Sequence, residues 1–252
     1  MTMPKAEFHR RLGLGALAML LLVAAPCAMA QDASALISEV AKQDYSPALR
    51  NIVLLTALSV IPILLISMTS FTRIVIVLAM LRHALGLPQT PPNSVIITLA
   101  ICLTYFSMSP VIDRVNETAI APLLAQKITA PEAMEIGAEP IRTFMVSQTR
   151  ESDLRAVLEM ARVPMPGSVD DVRFAHLMPA FLLSELKTAF QIGFVIFLPF
   201  LLIDLVVAAA LMALGMIMVP PATISLPLKI LLFVLIDGWV LVSRSLLSSY
   251  WS

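Results

Sequence analysis

The sequence predicts an all-α protein of membrane type: hydrophobic helical hairpins with a small helical insert between them. Three observations carry that prediction. Of 252 residues, 59% are hydrophobic and only 13% charged, with a mean hydropathy of +0.90; a soluble domain is typically about 45–50% apolar and about 25% charged. The apolar residues are gathered into long runs, at 52–81, 95–112, 177–214 and 226–247, each at or beyond the length that crosses a hydrocarbon core. Between the second and third runs, residues 113–176 hold seven basic and ten acidic side chains, a different solvent regime.

These observations divide the chain into five stretches. Residues 1–30 read as a cleavable signal peptide: Lys5, Arg10 and Arg11 are basic, Leu12–Ala25 is apolar, and Ala28-Met29-Ala30 is an A-x-A site before Gln31. The alternative is an uncleaved first helix. Residues 31–51 form a polar arm, placed in the periplasm by cleavage. Residues 52–112 form a first hydrophobic helical hairpin, in which Pro62 bends the first helix. Arg82-His83-Ala84-Leu85-Gly86 ends that helix with a basic turn and a glycine. QTPPNS, residues 89–94, is a rigid turn after which Asn93 or Ser94 caps the next helix.

Residues 113–176 read as a helical periplasmic insert, with a helix start at Thr149-Arg150-Glu151-Ser152-Asp153. The last stretch, 177–252, is a second hydrophobic helical region. Pro199 falls inside its first run, which predicts either one long kinked helix or a hairpin of two shorter ones. Tyr250 and Trp251 stand where interfacial anchors are found.

The composition excludes several function classes. Lysine plus arginine and aspartate plus glutamate number 17 each, so there is no electrostatic footprint for nucleic acid. Cys27 and Cys102 have no metal-ligand spacing, and neither do His9, His83 and His176. No phosphate loop or nucleophile elbow occurs. The sequence therefore predicts no enzyme, no cofactor and no metal.

What remains is the placement of charge in apolar sequence. Arg73, Glu185, Lys187, Asp204 and Lys229 all lie within or beside hydrophobic runs. Insertion scales set a cost of about 2.5–3.5 kcal/mol for each such charge at a helix centre facing lipid. They are accordingly expected to face protein or water, in an assembly of several chains. Arg73 is open to two readings, a side chain snorkelling to the interface or a contact between chains. Asp204 is placed to satisfy backbone donors freed by Pro199. Glu185 and Lys187 diverge on a helix; Lys229 is the expected partner of Glu185, in the same or an adjacent copy, as a device that fixes register.

The second feature is a methionine-rich turn. Met212, Met216, Ile217 and Met218 follow an apolar helix, with Gly215 permitting a close turn and Pro220-Pro221 expected to stop the helix. Methionine is unbranched and polarizable, so a ring of such turns makes a soft collar, closed to ions and yielding to a passing chain. The plain alternative is that the methionines, 15 in all, fill gaps in an apolar core.

Five blocks, in order, resemble one family: MTSFTRIVIVLAMLRHALGLPQTPPN (68–93), YFSMSPVID (105–113), LSELKTAFQIGF (183–194), LPFLLIDLVVAAALMALGMIMVPPATISLPLK (198–229) and LFVLIDGW (232–239). Together they are similar to the FliP/SctR family of type III export-gate subunits, and the IDGW ending resembles its flagellar branch more than its virulence branch. The family's turn usually reads Met-Met-Met, where this chain has Ile217.

The resemblance implies a homo-oligomeric ring, a pentamer, with FliQ-like and FliR-like subunits and with FlhB-like and FlhA-like export proteins nearby. It implies a place in the flagellar basal body, at the inner membrane and its periplasmic face, surrounded by the rotor ring. The expected cargo is unfolded flagellar polypeptide. A virulence secretion subunit, a small-solute transporter and a scaffold without a conduit are the competing expectations.

Overall fold

The computed structural model describes residues 52, 55, 56, 59, 66–168 and 171–251. The expected signal peptide, polar arm and bend at Pro62 fall outside the described residues. Those described are helical with no strand among them: α1 Phe71–Ala84, α2 Asn93–Val115, α3 Ala121–Leu124, α4 Ala130–Gln148, α5 Glu151–Met160, α6 Phe174–Ala213, α7 Ala222–Leu235 and α8 Gly238–Ser248. Two are long and apolar enough to cross a membrane: Asn93–Leu124, with α2 continuing through a wide π-helical turn into α3, and α6. α7 and α8 together pass the same test but are bent by 64° at their junction.

The chain falls into two compact units, one of Met1–Leu65 with Glu151–Ala180, the other of Ile66–Arg150 with Phe181–Ser252. In the described part of the first, α5 buries Leu154, Val157 and Leu158 on one stripe and carries an exposed Glu151–Arg155 pair at 2.9 Å. Its start at Glu151 with Asp153 in the first turn agrees with the sequence.

The second unit is built around α1. Ile74, Val77, Leu78 and Leu81 are fully buried and pack with Ile96, Ala100 and Leu103 of α2, Ala189 and Phe200 of α6, Phe233 of α7 and Leu246 of α8. The i, i+3, i+4, i+7 spacing of the α1 residues is what a helix needs to bury one face. Arg82 ends α1 as expected, but it is buried, donating to the Pro91 carbonyl at 3.0 Å and to Asn93 Oδ1 at 2.7 Å. Asn93 is thus spent on Arg82; Pro92 occupies the cap position of α2, with no side-chain cap bond there.

α6 is one continuous helix of 40 residues, about 60 Å long at 1.5 Å per residue. The hairpin alternative at Pro199 is therefore excluded. The helix has an interior long enough on both sides of the proline to carry it past one lost hydrogen bond. One side of α6 is open in the single chain, where Phe190, Phe194, Leu198, Leu201 and Leu205 are exposed, while Phe181, Glu185, Ala189 and Phe200 are buried.

Candidate functional site

α6 ends in a glycine-dependent stop. Gly215 adopts φ +74°, its N–H bonds the Met212 carbonyl at 3.1 Å, and the Met216 N–H reaches back to the Leu211 carbonyl at 2.9 Å. This pair of bonds satisfies carbonyls that a helix end leaves open. The same device ends α1 at Gly86, φ +77°, with Leu87 N–H bonding Arg82 O at 3.3 Å. Pro220 and Pro221 do not stop α6, as the sequence had suggested. The helix has already ended at Ala213, and Pro221 is the cap residue of α7. Proline suits that place because the first helical N–H groups have no intrahelical acceptor to lose.

The stop leaves Met216, Ile217 and Met218 on a turn at the tip of α6. Their exposure rises along the turn, 41%, 83% and 94%, and Met212 on the last helical turn is 66% exposed. Gap filling within the chain does not account for side chains that touch so little. A tip of large apolar groups held in the open is a surface meant to meet something.

The charged residues form two separate clusters. In the first, Arg73 of α1 and Glu185 of α6 are 3% and 0% exposed. Arg73 Nε donates to Glu185 Oε2 at 3.0 Å, and Nη2 donates to Oε1, a bidentate pair. Nη2 also reaches Gln148 Oε1 at 3.1 Å; Nη1 reaches Ser249 Oγ at 3.1 Å and its carbonyl at 3.3 Å. The Tyr250 ring lies under the guanidinium, 3.9 Å from Cζ. Its hydroxyl is 2.9 Å from Glu185 Oε2 and 3.1 Å from the Ser70 carbonyl, so one proton serves two acceptors. Beside this cluster Arg150 donates its N–H to Ser184 Oγ at 3.0 Å and its guanidinium to Thr188 and Gln191, at 3.1 and 2.6 Å.

In the second cluster, Lys229 of α7 donates to Asp204 Oδ2 at 2.6 Å and to the Ala84 carbonyl at 3.4 Å. Lys229 is buried while the Asp204 side chain is 41% exposed.

These clusters correct the sequence-based pairing. Glu185 pairs with Arg73 and Lys229 with Asp204. Glu185 and Asp204 stand 19 residues apart on α6, about 28 Å along its axis, so Lys229 cannot serve both within one chain. Arg73 neither snorkels nor faces outward; it is enclosed. Tyr250 is no interfacial anchor but a ligand of the buried pair, while Trp251 is exposed. Lys187 is exposed, turned from Glu185 as the i, i+2 offset requires. Gln148, Arg150, Ser249 and Tyr250 were not singled out as site residues, since nothing local marks contacts made so far along the chain.

Comparison with known proteins agrees with this arrangement of blocks. The FliP family's sequence model matches residues 54–246. The chain is 54% identical over 210 residues to the Flagellar biosynthetic protein FliP of Pectobacterium carotovorum subsp. carotovorum, covering 83% of this chain and 81% of that one. It is 50% identical over 208 residues to the protein of the same name in Bacillus subtilis (strain 168), covering 82% and 94%. The Aquifex aeolicus (strain VF5) protein of that name is 47% identical, covering 80% and 85%. The matched span takes in both charge clusters up to Leu246 and the whole methionine turn, and on it the chain belongs to the FliP family.

Proposed function

We propose that this chain is a pore-lining subunit of the flagellar type III protein export gate. Copies set around one axis, five by family resemblance, present Met216, Ile217 and Met218 as a collar that passes unfolded flagellar polypeptide across the inner membrane. The observation that carries the reading is the turn itself: three consecutive apolar side chains, the last 94% exposed, at the tip of a helix about 60 Å long. An apolar constriction excludes ions by dewetting. Thioether side chains move aside at little cost when a polypeptide enters, and Ile217 narrows the collar with a stiffer, branched group.

The relatives' name, flagellar biosynthetic protein, supports the flagellar assignment. The exposed face of α6 supports a multi-chain environment, because its uncovered apolar length exceeds a hydrocarbon core of about 30 Å. Neighbouring copies, FliQ-like and FliR-like subunits and the basal-body rotor ring are the expected cover, with FlhA-like and FlhB-like proteins delivering cargo. Arg73, Glu185, Asp204 and Lys229 act here by holding each protomer's helices in register, so that every turn reaches the same height.

The test is to replace Met216 and Met218 by alanine in secreting cells and follow ion or small-dye entry. A leak with the complex still assembled is expected. A tight membrane in the assembled double variant contradicts the collar.

A further inference from the structure

At the start of α7, next in sequence to the methionine turn, lies an open-mouthed cavity of about 330 Å³. Pro221 and Ala222, which directly follow the turn, line it, as do Asp204 and Ala208 of α6 and Leu226 and Lys229 of α7. We propose that this cavity is the receptacle into which the trailing arm of the turn, Val219–Ala222, retracts when the collar opens. The inference rests on the pore reading above and adds to it the place where the displaced chain goes.

The argument is one of available space. A passing polypeptide pushes Met216–Met218 outward, and the arm behind them must follow. Protein interiors are close-packed and do not yield continuously. Behind the cavity, Ala84 and Leu85 are 1% and 3% exposed, so the core on that side is filled. The cavity is the void that shares a wall with the moving arm.

The joints fit the same motion. Gly215 has φ +74° and nothing within 4 Å of where a Cβ would stand, so the leading end of the turn is free to rotate. At the trailing end Pro220 and Pro221 fix φ in succession, so that arm moves as a short stiff lever. Lys229 joins Asp204 at 2.6 Å and the end of α1 at the Ala84 carbonyl, 3.4 Å away. That clasp holds the polar side of the cavity in place and limits how far the arm travels. Gly86 and Ser225 complete the lining; a Cβ at Gly86 would lie 3.3 Å from Leu226 Cδ1, so the void narrows on that side.

The test fills the cavity after assembly. Ala222→Cys, with Cys27 and Cys102 replaced by serine, is labelled in assembled complexes in cells with methanethiosulfonates of increasing size, and each sample is compared with its unlabelled control. Ala208→Leu provides a second, genetic filling. The expected result is secretion falling with adduct size to below about a tenth of the control, with ion tightness and native-gel mobility unchanged. Secretion that stays at the control level with the bulkiest adduct and in an assembled Ala208→Leu variant overturns the receptacle. Met216→Ala with Met218→Ala is run in parallel. A leak there alongside unimpeded secretion from the filled complexes refutes the receptacle alone, whereas no leak removes the collar and the receptacle with it.

Discussion

Arg73 and Glu185, 112 residues apart in sequence, form a bidentate pair that solvent does not reach. Both charges are removed from water, and the pair survives because the lone pairs and protons around it are also satisfied, by Gln148, Ser249 and Tyr250. Breaking such a pair from one side is costly because it strands the other charge. Arg73→Met is therefore expected to destabilise the detergent-solubilised protein by about 3–5 kcal/mol. Arg73→Met with Glu185→Leu is expected to recover most of that loss. Denaturant titration of the two variants measures both. Arg73→Lys is expected to behave like a broken pair, since an ammonium cannot supply the fork or stack as well on the Tyr250 ring.

The second pair differs because Asp204 stays half in contact with solvent. Lys229→Met leaves a carboxylate that turns outward, and its expected cost is on the order of 1 kcal/mol, well below that of Arg73→Met. A charge exchange separates the observed pairing from the one the sequence suggested. Asp204→Lys with Lys229→Asp is expected to restore assembly and swarming lost in either single variant. Glu185→Lys with Lys229→Glu is expected to restore nothing, as read by native gels and swarm diameter.

Gly215 and Gly238 are needed for different reasons. Around Gly215 there is open space, so Gly215→Ala meets only the left-handed backbone penalty, about 1–2 kcal/mol. At Gly238 an added Cβ would collide with the buried Phe233 ring. Gly238→Ala is expected to cost about 1–3 kcal/mol through overpacking, and to shift the ring, which thermal unfolding with aromatic near-ultraviolet dichroism detects together.

Much of this was readable from residues alone. The all-helical class, the polar stretch at 113–176, the glycine end of α1 and the methionine turn all follow from composition or from a local pattern. The pairing of charges did not. A helix fixes which residues share its own face, but not which distant helix supplies the partner, so the sequence points to Lys229 for Glu185 where the fold supplies Arg73. Pro199 left a single long helix and a hairpin both open for a related reason. A proline's local penalty, about 3 kcal/mol, is visible in sequence, while the packing of 40 residues that outweighs it is not. The turn prolines were noticed but given the wrong helix, because Gly215 had ended α6 before they were reached.

The helix α4 carries a pH-dependent cap outside the apolar spans. Thr129 donates its N–H and its hydroxyl to Glu132 Oε2 at 2.8 and 2.9 Å, and the Glu132 backbone N–H bonds the Thr129 side chain in return, which makes a capping box. The two bonds donated by Thr129 hold the Glu132 carboxyl below its ordinary range. A lowered folded value means the cap contributes fully above the unfolded carboxylate pKa, about 4.3, and is lost as pH falls through the folded value. Amide exchange in the first turn of α4 is expected to quicken in that acid range. Glu132→Ala is expected to remove the pH dependence there while leaving that of other helices alone.

The most direct test of the central claim is a photo-crosslinking amino acid placed at Ile217 or Met218 in cells whose secreted substrate is stalled by a folded fusion domain. If these side chains surround the export path, both positions yield adducts with the stalled polypeptide, while the same group at exposed Trp251, beside the Arg73 cluster, yields none. Adducts to lipid alone at 217 and 218, with substrate demonstrably jammed in the complex, would contradict the account.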